Sequence, residues 1–359
     1  MAERQLPRLP QSRLRRAVVV GAGSFGTAVA VILARGGTRT TLQARSPEQA
    51  ERLAEERRNE VYLPGVELPR ELRIEPMSAG VASAQVVFLA VPSRGLDEVI
   101  GSLRERGLDP RTAVVSLAKG LVPPNGLAPS IVLREHLGPD RVAVIGGPAH
   151  AREMVHEGAG LVAASASADL AAALQQMFIR AGVVCELSND PVGVELAGAA
   201  KNAAALAAGA TEGQGLNAAG AAAGHIFAEV WRFAEAQGGR AESFIGLAGT
   251  GDLVATALAP QSRNRRAGEL LAEGVPGAEI PAHIGQAVES LESVPLLARA
   301  LSGAGVDAPV TNGLAHLIAG DLPLAEWVSM VRTTVPPPAR FPMVKRPNWW
   351  RRLLAWLRR

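Results

Sequence analysis

A chain of 359 residues with 48% apolar content is long enough for two domains with cores of their own, and its single cysteine, Cys185, excludes an intrachain disulfide and argues against a secreted scaffold. The net charge of +3 hides a division: residues 1–16 carry five arginines and one glutamate, residues 337–359 carry seven basic groups and no acid, and the remainder, 17–336, stands at −8. An acidic body with basic ends argues against nucleic-acid binding by the body.

The basic start, MAERQLPRLPQSRLRR, lacks the apolar run of a secretory signal, so a cytoplasmic location is expected. Residues 17–20 are a short apolar run that ends in Gly21-Ala22-Gly23-Ser24-Phe25-Gly26, and small and aliphatic residues suited to a buried helix follow. This is the strand, glycine turn and helix start of a dinucleotide-binding unit. Gly21 permits the tight turn, Gly23 lets the pyrophosphate approach the backbone, and Gly26 lets helix and strand pack closely. The second strand is predicted over 38–42, and its end should meet the adenosine ribose. Gln43-Ala44-Arg45 stands there instead of a carboxylate. An arginine at that place can pair with a 2′-phosphate, which favours NADP over NAD.

A charged helix is predicted over 47–58, then a turn-rich loop over 59–65 that holds the only tyrosine, Tyr62. Residues 86–91 read as a fully buried strand running into Pro92-Ser93. Residues 114–120 repeat the plan, with Lys119 just past a strand and therefore aimed at the same crevice. A further strand, 142–145, ends in Gly146-Gly147-Pro148-Ala149-His150-Ala151, whose backbone N–H groups could hold a phosphate or the nicotinamide amide. From about residue 191 strands give way to alanine-rich helices that continue to about 333.

Within them GVELAGAAKN, residues 193–202, places Lys201 among small residues on a helix able to pack tightly. Desolvation there would lower the lysine pKa towards the working pH, as a general acid/base requires. Further on, Ser262 can cap a helix beginning at Arg263, and the free N–H groups of its first turn, with Arg263 and Asn264, favour an anion. No apolar run has the length of a membrane span, because the stretch from Leu196 is broken by Lys201, Asn202 and Glu212.

GAGSFGTA, NEVYLPG, VPS, AKGL, GGPAHARE, GVELAGAAKN, GLAGTGDL, SRNRRAG and IGQAVES follow one another in register over roughly residues 17–320. In that order they resemble the bacterial-type NAD(P)-dependent glycerol-3-phosphate dehydrogenases. The resemblance implies a Rossmann-like, doubly wound α/β domain over 17–190 and an all-helical domain of the 6-phosphogluconate dehydrogenase-like kind over 191–333. Residues 1–16 form a basic extension, and 334–359 a Pro-rich linker and tail. The implied reaction is reversible reduction of dihydroxyacetone phosphate to sn-glycerol 3-phosphate, which supplies glycerophospholipid synthesis.

By position, the resemblance makes Lys201 the proton donor to the ketone oxygen, Asp252 a substrate-binding aspartate, and Lys119 a lysine near both substrate and nicotinamide. Gly147, Ala149, Ser262, Arg263 and Asn264 fall at substrate positions. Gly21, Gly23, Ser24, Phe25, Gly26, Arg45, Lys119, Ala151, Arg263, Ala287 and Glu289 fall at cofactor positions. A homodimer is implied, and no metal is assigned. The chemistry agrees: hydride arrives at carbon, so a positioned acid must protonate oxygen, and nearby positive charge stabilises the developing alkoxide. Two lysines facing one pocket should also depress each other's pKa.

The pattern departs from the family at Ala118, Ala149, Thr250, Ala257, His225 and Ser290, where Thr, a hydroxyl residue, Leu, Cys, Arg and Gly are usual. Loss of one neutral hydrogen bond at Ala149 costs about 0.5–1.5 kcal/mol, which weakens affinity without abolishing the reaction. Two alternatives stand beside the main reading: an NADP-binding sensor or scaffold that has lost turnover, and a related dehydrogenase for another small keto or hydroxy compound.

The family likeness does not reach the end of the chain, NWWRRLLAWLRR. On a helix of 3.6 residues per turn, Trp350, Leu353, Leu354 and Leu357 share a face flanked by Trp349 and Trp356, with Arg351, Arg352, Arg358 and Arg359 opposite. Such a helix is suited to an anionic membrane surface, which would add peripheral contact at the inner membrane to the cytoplasmic location. Docking of the tail on the protein's own body or on a dimer partner would bury the same side chains.

Overall fold

The computed structural model describes residues 14–259 and 262–335. Most of the basic extension and the amphipathic tail lie outside the described residues.

The strands are β1 (Arg16–Val20), β2 (Arg39–Ala44), β3 (Arg58–Asn59), β4 (Leu63–Glu67), β5 (Arg73–Pro76), β6 (Val86–Leu89), β7 (Ala113–Ser116), β8 (Val142–Gly146), β9 (Gly160–Ser165) and β10 (Val184–Ser188). Eight of them form one sheet in the order β10-β9-β8-β7-β6-β1-β2-β5, while β3 and β4 pair separately. The strands from β5 to β8 are parallel, whereas β9 runs antiparallel to β8 and β10 parallel to β9. Strand order reverses at β1, which has β2 on one side and β6 on the other. A crevice opens at the carboxyl ends of the strands at such a reversal.

Successive side chains of a strand point to opposite faces, and the cores follow that alternation. Ala17 and Val19 join a cluster with Phe88, Val115 and the helix Ser24–Arg35. Val18 and Val20 join another with Val87 and the helix Leu96–Glu105. Strands covered on both faces read as continuous apolar runs, which is why β1, β6, β7 and β8 were legible.

Several elements differ from the sequence reading, β5 among them. Strand β2 continues through Ala44, with Gln43 paired to Val20, so Arg45 is the first residue past the strand. The segment 59–65 is not a simple loop, because Asn59 and Leu63 are paired in an antiparallel hairpin. The side chain of Asn59 donates to Ala22 O and to Thr27 Oγ1, at 3.0 and 2.8 Å, and ties that hairpin to the glycine turn. Strands β9 and β10 were not anticipated: GLVAAS is rich in small residues of low β-propensity, and VCELS is a half-exposed edge.

From Pro191 every regular element among the described residues is helical. The helix Pro191–Thr211 is buried around almost its whole circumference. Its apolar content is not confined to one stripe, and such a helix belongs at the centre of a bundle. The helices Leu216–Ala236, Asp252–Leu258, Arg263–Ala272 and Glu289–Gly303 surround it, and it also packs on β8 and β9. Among the described residues no single helix is long and apolar enough to cross a membrane.

Candidate active site

At the end of β1, Gly21 has φ of +109°, in the region that favours glycine, and a Cβ there would lie 2.4 Å from Ala90 O. A Cβ on Gly26 would lie 2.1 Å from Gly21 O, whereas one on Gly23 would meet nothing within 4 Å. The turn is thus closed on the protein side and open at Gly23. Gly23 starts the helix Ser24–Arg35 without a side-chain cap, so the N–H groups of its first turn are left for an anion. These residues fit a dinucleotide pyrophosphate. The Arg45 side chain is exposed and makes no hydrogen bond or ion pair with the described residues. Phe25, Ala149 and Ala151 are partly buried against the same cluster.

Three ionisable groups meet where the sheet faces the helical half. Lys119 follows β7, Lys201 lies in the central helix, and Asp252 opens the helix Asp252–Leu258 after one wide turn, Leu247–Gly251. A Cβ on Gly249 would lie 2.1 Å from Phe244 O, so only glycine permits that turn. Lys119 Nζ is 2.9 Å from Asp252 Oδ2, and Lys201 Nζ is 3.3 Å from Asp252 Oδ1. Lys201 also donates to Thr256 Oγ1 at 3.1 Å, and Lys119 reaches Gly147 O at 3.5 Å. The Lys119 ammonium stands 5.8 Å from the centroid of the Phe25 ring, on the cofactor side.

The electrostatics are unequal. Burial, and then the Lys119 charge, push Lys201 down to about 8 against the pull of Asp252 and Glu289. Burial also draws Lys119 down, but Asp252, helped by Glu289, outweighs it and leaves Lys119 above the ordinary lysine value. Mutual depression of the two lysines is therefore corrected: only Lys201 is lowered, because Asp252 lies closer to Lys119. Burial raises Asp252, yet two ammonium groups hold it below the usual carboxylate range.

A second polar chain lies beside this one. Asn264 donates to Asn202 Oδ1 at 2.8 Å, and Asn202 donates to Glu289 Oε2 at 3.2 Å. Ser262 caps its helix by accepting the Arg265 N–H at 3.3 Å, and Arg263 donates to Ala287 O at 2.9 Å. The two chains meet at the central helix, where Lys201 and Asn202 are neighbours in sequence, and the Glu289 charge draws both lysines upward.

The family model for the N-terminus of NAD-dependent glycerol-3-phosphate dehydrogenase matches residues 16–172, and the model for its C-terminus matches residues 190–329. The chain belongs to that family. A glycerol-3-phosphate dehydrogenase [NAD(P)+] from Deinococcus radiodurans is 42% identical over 86% of this chain and 92% of the relative, and one from Methylococcus capsulatus is 37% identical over 89% and 97%. The crystal structure of glycerol-3-phosphate dehydrogenase from Coxiella burnetii superposes with a TM-score of 0.83 at 30% identity, covering 89% of this chain and 99% of that one. A ketopantoate reductase from Ralstonia eutropha shares the fold alone, at 19% identity and a TM-score of 0.59.

Within this dehydrogenase fold, two site residues escaped the sequence reading. Thr256 receives the Lys201 ammonium and donates to Asp252 Oδ1 at 3.4 Å. Its signal was the i, i+4 spacing from Asp252, which puts both on one helical face. Asn202 adjoins Lys201 in sequence, but its bridging role depends on Asn264 and Glu289, which only folding brings near.

Proposed function

We infer that the protein interconverts dihydroxyacetone phosphate and sn-glycerol 3-phosphate with NAD or NADP. The observation that carries this reading is a lysine poised near 8, Lys201, held by Asp252 opposite a second lysine that stays charged, beside the capped start of the helix Arg263–Ala272. The glycine turn and the start of the helix Ser24–Arg35 would hold the dinucleotide, whose nicotinamide, when bound, would supply or accept the hydride. Lys201 then protonates the ketone oxygen, or deprotonates the alcohol in reverse. Lys119 offers fixed positive charge to the developing alkoxide, and Asp252 holds both ammonium groups in place. Ser262, Arg263 and Asn264 take the substrate phosphate at the helix start, where backbone N–H groups and the helix dipole favour an anion. Gly147 and Ala149 complete the substrate wall; Ala149 contributes no hydroxyl.

NADPH oxidation with dihydroxyacetone phosphate beside unphosphorylated dihydroxyacetone tests the reading. The phosphorylated ketone should be reduced with much the higher kcat/KM. Equal rates would remove the phosphate site, and no rate on either would leave a cofactor-binding sensor.

We propose further that NADP is preferred, since the Arg45 guanidinium, unpaired among the described residues, follows β2 directly, where a ribose 2′-phosphate would lie. Arg45→Asp should shift the NADPH/NADH ratio of kcat/KM towards NADH by about tenfold or more, the loss of one charge-assisted contact. An unchanged ratio would mean that Arg45 does not read the phosphate. The assembly proposed is a homodimer, on the family resemblance.

The tail is proposed to bring a cytoplasmic enzyme to the inner membrane surface, where its product enters phospholipid synthesis. Its sequence pattern of arginines opposite tryptophan and leucine supports this. The full chain should sediment with anionic liposomes, and a chain truncated after Arg340 should not. Equal binding by the two, or none by either, removes the anchor; indifference to lipid charge removes its electrostatic half.

A further inference from the structure

The helix that carries Lys201 also carries a carboxylate that the proposed chemistry does not use. Glu195 lies six residues before Lys201 and is 4% exposed. Its two oxygens accept the backbone N–H of Ser130 at 3.0 and 3.1 Å, and Oε2 accepts the Ser130 hydroxyl as well. Ser130 is the second residue of the helix Pro129–Leu137, whose N-cap, Ala128, has no side chain able to cap it. A carboxyl group 65 residues away in the chain therefore does for this helix what a local Ser or Asp does elsewhere.

The placement matters because of what lies between β7 and that helix. Lys119 stands on the connecting segment, three residues past Ser116, the last residue of β7. The Ser116 hydroxyl accepts the Ala118 N–H at 3.3 Å, which steadies the turn out of β7. Farther along, Leu121 and Ala128 are part of the core of the helical half. Gly126 is pressed against the helix Glu289–Gly303 so closely that a Cβ would lie 2.8 Å from Leu296 O. The Lys119 segment is thus held at its far end, where Glu195 of the Lys201 helix fixes Ser130 and Gly126 lies against the helix Glu289–Gly303. Asp252, in turn, can bridge the two lysines at 2.9 and 3.3 Å only if their separation is fixed.

We propose that Glu195 is a positioning residue, which holds the Lys119 segment in register with the Lys201 helix by capping the helix Pro129–Leu137 from the other half of the chain. It acts through Ser130, whose backbone N–H and hydroxyl it accepts, and not on the reacting atoms. The inference rests on the dehydrogenase reaction proposed above but makes a separate demand, because it concerns the spacing of the two lysines and not the identity of the substrate. Burial pushes the Glu195 carboxyl up to about 8, so a neutral amide of the same length is a close substitute.

The experiment compares Glu195→Gln, Glu195→Asp, Glu195→Ala and Ser130→Ala in the full chain, with kcat, both KM values and the kcat–pH profile expressed per folded molecule. Gln keeps the reach and an acceptor oxygen, and should retain kcat within about threefold. Asp is one methylene short and Ala removes the contact; both should lose about 10–100-fold in kcat with KM little changed, the scale expected when catalytic groups are displaced by about 1 Å. In both, the ionisation assigned to Lys201 should move, because its burial and its distances from Lys119 and Asp252 together set it. Ser130→Ala keeps the backbone N–H and should fall between, and with Glu195→Asp it decides the matter if the alanine variant does not fold. A Glu195 that served folding alone would lower the folded fraction and leave kcat and the pH profile of the folded molecules unchanged, which would overturn the positioning role. An inactive wild type would instead overturn the proposed reaction.

Discussion

Lys201→Ala should lower kcat by about 10²–10⁴-fold while NADPH binding stays near wild type, because it removes proton transfer and leaves the glycine turn untouched. The pH dependence supplies the sign. With Lys201 lowered to about 8, ketone reduction needs its protonated form, so turnover in that direction should fall as pH rises through about 8. Alcohol oxidation needs the neutral amine, and its turnover should rise through the same pH. Profiles in both directions, measured on wild type and the alanine variant, check this. Survival of turnover in the variant, or limbs of the same sign in the two directions, would take the proton-transfer role away from Lys201.

Asp252→Asn should produce the largest loss of stability together with loss of turnover. The carboxylate lies between two ammonium groups, is only 3% exposed, and without its charge two like charges would face each other in a dry site. Breaking a buried pair by removing one partner costs about 3–5 kcal/mol, which urea unfolding at pH 7 can read. The folded-state pKa of Asp252 is depressed, so its contribution is fully present above the unfolded carboxylate value and is lost as pH falls through the folded one. The gap between wild type and variant should therefore close towards acid pH. Both lysines should also shift towards the neutral form, because the carboxylate that draws them upward is gone. A variant of wild-type stability at pH 7 would mean that water, and not Asp252, solvates the two lysines.

The two variants separate roles that the static distances join. Lys201 stands closer to Thr256 than to Asp252, at 3.1 against 3.3 Å, so the hydroxyl can orient the ammonium even as the carboxylate sets its charge. Loss of Asp252 should accordingly be felt in stability, in the pH profile and in turnover together, and loss of Lys201 chiefly in turnover.

What the sequence determined by itself was whatever short-range sterics and periodicity control. The turn from Gly21 to Gly26 follows from local backbone geometry, the parallel strands from runs of buried β-branched and aliphatic residues, the central helix from apolar residues all round, and the Ser262 cap from a side chain three residues from its donor. The types of chemical group were legible for the same reason, since a lysine among small residues promises desolvation wherever it packs. The tertiary structure alone decided which groups share a charge and which share a proton. Lys119 and Asp252 are 133 residues apart, and only packing puts their atoms 2.9 Å apart and turns the Lys119 shift upward against the depression expected of two neighbouring lysines. The hydroxyl of Thr256, the bridge from Asn264 through Asn202 to Glu289, and the capping of Ser130 by Glu195 are of the same kind. Coulomb and hydrogen-bond energies depend on separations through space, and the chain fixes those separations only when its helices have chosen their register against the sheet.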